Sequence, residues 1–323
     1  MKKFSLLAIS ALVLTGCATP EPVAELTGYA LVSQGLSASC ENFETGTAVS
    51  QVEVLGEFGV EPEVSFPTPL SGTGVETQVV IEGSGGEIVG SQRVALHFTG
   101  FNAGTGEQFQ GSEFGSENFI IQDLVKDATP DFCKGLTGVQ VGSRVAILLN
   151  PENAHAGAGI ASLGIGENDG VLFIFDVVDA YLPKANGATK APMAGLPTVI
   201  LAPSGQPGLQ IPASSAPTEF QRSVLIEGAG EPIQIGDTVV VHYTGWTWDG
   251  VKFDSSWERG APASFGVSSG SLIEGFVKAL EGVKIGSQVI AVIPPELGYG
   301  DAAQGLIPAG STLIFVVDVL GKD

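Results

Sequence analysis

Short apolar runs alternate with Gly, Pro and Asp along most of this chain. The stretches 237–243 and 288–293 are rich in β-branched residues and bounded by such breakers, so they read as strands, with 312–320 as a third. Between them the period changes. Ile273, Phe276, Val277 and Leu280 fall at i, i+3, i+4 and i+7, which predicts a short helix with one apolar face. Gly282 then stands where a C-capping glycine belongs.

The same order occurs upstream. Val94-Ala95-Leu96-His97-Phe98-Thr99-Gly100 returns as Val239-Val240-Val241-His242-Tyr243-Thr244-Gly245, and Ile81-Glu82-Gly83 as Ile226-Glu227-Gly228, at an offset of 145. The register reaches back to Val64, Phe66 and Pro67 against Leu209, Ile211 and Pro212. It continues at an offset of 144, with residues 132–139 lying on 276–283. Thr129-Pro130 is expected to open the upstream helix as cap and first-turn proline. A period this long indicates tandem domains and excludes a solenoid. Strand positions outnumber helical ones, and a lone amphipathic helix must bury its stripe against a sheet. The predicted fold is α+β: two copies, each an antiparallel sheet curled around one short helix.

The N-terminus breaks this pattern. Lys2-Lys3, an apolar core over 4–13 and Leu14-Thr15-Gly16-Cys17 have the form of an export signal ending in a lipobox. About ten apolar residues are too few to span a bilayer. A lipid on Cys17 would instead tether a soluble chain to the cell membrane on its extracytoplasmic side. Cys40 and Cys133 then remain, an even pair in an oxidising compartment, and a disulfide between them is expected. The three Cys and three His never fall at metal-binding spacings, so no metal site is expected. A net charge of −21 carried by 15% charged residues gives an acidic surface, which argues against nucleic acid as a partner.

Only the second copy continues to Val251-Lys252-Phe253-Asp254-Ser255-Ser256 and later to Leu297-Gly298-Tyr299-Gly300. With the duplicated strand, these blocks resemble the FKBP-type peptidyl-prolyl cis-trans isomerases, closely over about 225–322 and more loosely over about 80–182. The resemblance implies that Tyr243, Phe253, Phe265, Leu272, Ile273, Phe276, Tyr299, Ile307 and Phe315 form the wall and floor of a proline-binding pocket. It implies that the Tyr299 hydroxyl and the Ile273 N–H hold substrate carbonyls. Asp254, oriented by Tyr243 and Arg259, would meet the prolyl amide, giving Asp254, Tyr243 and Tyr299 the catalytic roles. The family works without a cofactor, and FK506-like macrolides are possible ligands. Substrates would be X-Pro bonds of unfolded or exported polypeptides.

The first copy departs from that set. Phe98 stands for Tyr243, Gln110 for Asp254 and His155 for Tyr299, so efficient isomerisation is not expected there. The domains are read as a signal over 1–17, a polar spacer over 18–67, a degenerate copy over 68–183, a Pro-rich connector over 184–222 and a catalytic copy over 223–323. The apolar Thr198-Val199-Ile200-Leu201 is expected to pack as an added edge strand. Gly266-Val267-Ser268-Ser269-Gly270 matches a hydrolase elbow, but no histidine follows His242 to complete a triad. The alternative reading is a non-catalytic surface chaperone that holds exported chains.

Overall fold

The computed structural model describes residues 40–268 and 270–323, so the signal and Cys17 lie outside the described residues. The first repeat opens with a hairpin of β1 (Glu53–Leu55) and β2 (Glu63–Ser65). An antiparallel sheet follows, made of β3 (Val75–Ile81), β4 (Arg93–Asn102), β5 (Gln108–Gly111), β6 (Ile120–Asp123), β7 (Arg144–Leu149) and β8 (Val171–Ala180). Its order is β3-β7-β8-β4-β5, with β6 also on β4. Helix α1 (Phe132–Leu136) packs into its concave face, and α2 (Pro151–His155) follows β7.

The second repeat reproduces this plan. The short β9 (Ala188–Thr189) is followed by a hairpin of β10 (Thr198–Leu201) and β11 (Pro207–Gln210). The main sheet contains β12 (Gln221–Glu227), β13 (Thr238–Thr247) and β14 (Lys252–Ser255), then β15 (Ala263–Gly266), β16 (Gln288–Ile293) and β17 (Leu313–Lys322). Its order is β14-β13-β17-β16-β12-β9, with β15 on β13. Two short helices interrupt it, α3 (Ser256–Arg259) and α4 (Glu274–Leu280). The α+β architecture is the one the pattern predicts. A Cβ on Gly275 would fall 2.2 Å from Ile293, so glycine lets α4 lie directly on β16.

The sheets are covered on both faces. In β16, Val289, Ala291 and Ile293 join the core under α4, while Ile290 and Val292 join a second cluster with Leu196, Leu209, Trp246, Ile314 and Val316. That second layer is supplied by β10–β11. The segment 198–201 therefore adds no edge strand to the main sheet; it pairs with β11 and lies across the outer face. In the first repeat Val49, Val52 and Leu70 cover Leu148, Leu172 and Ile174 in the same way. The disulfide joins Cys40 to Cys133 in α1, with Cα atoms 5.8 Å apart. The cap of α1 differs from the expected one. Asp131 is the N-cap, its carboxylate accepting from the Lys134 N–H at 3.0 Å, and Thr129-Pro130 precedes the helix. A carboxylate two residues nearer takes the capping role, and Pro130 turns into a cavity of the sheet.

Candidate active site

A cleft of about 730 Å³ opens over the concave face of the second sheet. Phe315 on β17 and Phe276 on α4 form its floor, their rings edge to face at 4.9 Å. Tyr243 on β13, Phe253 on β14 and Phe265 on β15 stand around them. Tyr243 meets Phe265 at 5.5 Å and Phe276 at 6.1 Å. Leu272 and Ile273, at the mouth of α4, close one side, and Tyr299 and Ile307 the other. Period-2 alternation on four strands, β17, β13, β14 and β15, places Phe315, Tyr243, Phe253 and Phe265 on one face. The sequence-predicted wall residues thus come together around one cavity.

The polar part of the site is a compact network. The Tyr243 hydroxyl donates to one oxygen of Asp254, and Arg259 donates to the other. A second Arg259 nitrogen lies 3.2 Å from the Tyr243 oxygen, and the guanidinium sits over the Tyr243 ring at 5.5 Å. Burial raises the Tyr243 pKa, and its bond to Asp254 adds to the effect, so the phenol stays protonated and keeps donating. Arg259 stands behind Asp254 and outside the cavity lining. Tyr299 is 37% exposed at the rim. Ser271, Gln304 and Leu306 also line the cleft. Sequence reasoning passed over these; the only signal was an apolar pair, Leu306-Ile307, in a Gly- and Pro-bounded loop. Leu306 is 67% exposed, a large apolar surface at the cleft mouth.

The corresponding hollow of the first domain is another object. It measures about 240 Å³ and is lined by Phe98, Phe132, Phe173 and Phe175, among other apolar residues, by Pro130, and by Gln110 in the place of Asp254. His155, which replaces Tyr299, bonds the Asp169 carbonyl through Nε2 at 2.8 Å and the Gly159 N–H through Nδ1 at 2.9 Å. Both ring nitrogens are therefore engaged within the domain. Trp257 and Trp248 are packing residues: Trp257 stacks on His242, and the Trp248 indole donates to the Ser214 carbonyl at 3.1 Å.

An antiparallel sheet curled around a short helix, repeated twice along the chain, is the architecture of an FKBP-type protein. The family model described as "FKBP-type peptidyl-prolyl cis-trans isomerase" matches residues 85–178 and 230–320, and the chain belongs to that family. It is 38% identical over 118 residues to an FK506-binding protein of Streptomyces anulatus, covering 36% of this chain and 95% of the relative. To FkpA, an FKBP-type peptidyl-prolyl cis-trans isomerase of Escherichia coli K12, it is 44% identical over 97 residues. That match covers 30% of this chain and only 35% of FkpA. A crystal structure of the Escherichia coli FkpA aligns at 36% identity over 41% of this chain and 53% of that one, with a TM-score of 0.31.

Proposed function

We propose that the second domain, over 223–323, isomerises X-Pro bonds of exported polypeptides, and that the first domain does not. Rotation of an X-Pro amide meets a barrier of roughly 18–20 kcal/mol because resonance is lost. Uncatalysed exchange takes tens to hundreds of seconds. Shortening it to about ten milliseconds needs roughly four decades, or about 5–6 kcal/mol. A twisted amide is less polar across C–N than the planar one. An aromatic, water-poor cleft with a few fixed polar groups therefore favours the transition state over the ground state. Phe276 and Phe315 receive the proline ring, and Tyr299 and the Ile273 N–H hold flanking carbonyls. Asp254, fixed by Tyr243 and Arg259, lays its charge against the electron-poor prolyl carbonyl carbon.

The observation that carries this reading is the Tyr243–Asp254–Arg259 network at the edge of an aromatic cleft. The same cleft suits an FK506-like macrolide, the ligand in the name of the Streptomyces relative. The smaller, apolar hollow of the first domain favours a binding role there, holding an apolar side chain without turning a bond. Lipidation at Cys17 would keep both domains at the extracytoplasmic membrane surface. An X-Pro peptide exchange assay on the full chain tests the catalytic assignment. Asp254→Ala should lower kcat/KM roughly ten-fold, about 1.4 kcal/mol, since one polar contact leaves a largely apolar site. An unchanged rate would contradict it.

A further inference from the structure

The two histidines of the repeated strand are buried in different ways. His97 is sealed inside its own domain, with Ser112 Oγ 3.2 Å from Nδ1 and the Ser116 carbonyl 3.2 Å from Nε2. In the second copy Ser256 repeats Ser112, and its hydroxyl lies 2.9 Å from His242 Nδ1. Gly260 occupies the place of Ser116. In its place the backbone of Ser91, in the first domain, faces the His242 ring across a shared cavity. Ser91 reaches it from a tight turn: Gly90 has φ +84° and Ser91 itself φ +36°, a left-handed conformation that costs a non-glycine residue energy. This turn lines the cavity with His242 and Trp257 of the second domain.

What His242 touches leads to the active site. Its ring stacks on Trp257 at 4.1 Å and an interplanar angle of 21°. Ser256 Oγ accepts the backbone N–H of Tyr243 at 2.8 Å. Trp257 and Arg259 share α3, a single turn of four residues that has no stability of its own. The position of Arg259 is therefore set by what packs on that turn. Further contacts close the same interface: Arg93 of β4 donates to Ser264 of β15 and lies 3.5 Å from Asp323, whose other oxygen accepts from Tyr181 at 2.5 Å.

We propose that the first domain is a positioning element of the catalytic centre in the second: its 89–91 turn, seated on His242 and Trp257, holds α3 and thereby Arg259 in place on Asp254 and Tyr243. This rests on the assignment of the cleft made above. The degenerate copy thus serves catalysis across the interface. The charged groups around His242 are Arg259 on α3, Lys184 on the connector, which lines the same 180 Å³ interdomain cavity, and Asp318, opposite it on β17. The turn Val89-Gly90-Ser91 adds no charge. Burial holds the His242 pKa down at about 4, against its usual 6.5, and Arg259 pushes in the same direction. Undocking admits water, returns the ring toward its ordinary titration and puts a cation beside Arg259 on acidification.

The test uses the full chain. Arg93→Glu faces Asp123 and Asp323 with a like charge and weakens the docking. Isomerase activity of the unmodified chain should be flat from about pH 8 to pH 5.5, because His242 stays neutral there. In Arg93→Glu it should be lower across the whole range, because Arg259 is no longer held, and should fall further below about pH 6.5, toward the roughly ten-fold deficit expected of Asp254→Ala. Adding His242→Gln, which cannot be protonated, should make that profile flat again. An unchanged rate in Arg93→Glu across that range, or a slope that survives His242→Gln, overturns the proposal. A measurement without any variant decides as well: His242 titrating near 6.5 in NMR spectra of the unmodified chain also overturns it. Asp254→Ala separates the two claims. If it costs activity while Arg93→Glu keeps the unmodified rate, only the docking role fails.

Discussion

Asp176 and Asp318 hold the same place in the two sheets and are compensated differently. Asp176 faces the fully buried Arg144, with nitrogen–oxygen distances of 2.6 and 2.8 Å, and also accepts from the Gly59 N–H at 2.7 Å. At the repeat position of Arg144 stands Gln288, which donates to Asp318 at 2.7 Å, while the Ala185 N–H donates at 2.8 Å. Among the described residues no cation forms a salt bridge with Asp318, and burial pushes its pKa up from 3.8 to about 6 against the weaker pull of its two hydrogen bonds and Lys184. The folded state therefore holds this proton more tightly than the unfolded chain. Stability is present while pH lies below the unfolded value and is lost as pH rises through the folded one. Asp318→Asn should then stabilise the chain near pH 7.5 by at most about 3 kcal/mol, and the gain should shrink toward pH 4. Chemical unfolding of both chains at the two pH values checks this; a gain independent of pH would contradict it. His242 contributes slope of the opposite sign and faces Asp318, so both chains are compared in a His242→Gln background. None of this was legible beforehand. A lone Arg144 or Asp318 in a sequence names no partner, whereas Tyr243, Phe253, Asp254 and Tyr299 sit in dense short blocks whose chemistry and order speak together.

At the scale of elements, periodicity placed the long strands and helix α4, whose apolar positions predict 273–280 against an observed Glu274–Leu280. It was weaker where local chemistry competes. Thr129-Pro130 has the form of a helix start, but Asp131 offers a carboxylate closer to the first free N–H groups. The outer layer was the larger omission. Residues 18–67 and 184–222 read as spacer and connector from their Pro and Gly content, yet each contributes a hairpin packed on a sheet. The signal lay in the partner strands. A sheet strand with one face in water alternates, while Val289-Ile290-Ala291-Val292-Ile293 does not, and such an unbroken run calls for cover on both faces. The hairpins supply it, Leu209 being fully buried against the outer cluster. The repeated unit is thus a hairpin together with a sheet and helix, consistent with the register that reaches back to Val64 and Leu209.

The whole molecule places two unequal hollows on one chain. The larger keeps a polar network, and the smaller has lost it and has its histidine committed to internal bonds. No helix among the described residues is long and apolar enough to cross a membrane. Attachment through Cys17 accordingly predicts that Cys17→Ser moves the protein from the membrane fraction to the soluble one; unchanged partition would contradict the anchor. The central claim is that one hollow of the two turns X-Pro bonds. Phe276 and Phe132 occupy matching floor positions, each edge to face with Phe315 or Phe173, so truncating either removes comparable packing. The most direct measurement is X-Pro exchange by the full chain carrying Phe276→Ala or Phe132→Ala, with folding of each verified by its unfolding transition. Phe276→Ala should lose roughly ten-fold or more in kcat/KM while Phe132→Ala stays within about two-fold of the unmodified chain. Loss of activity in Phe132→Ala, with Phe276→Ala unaffected, would contradict it.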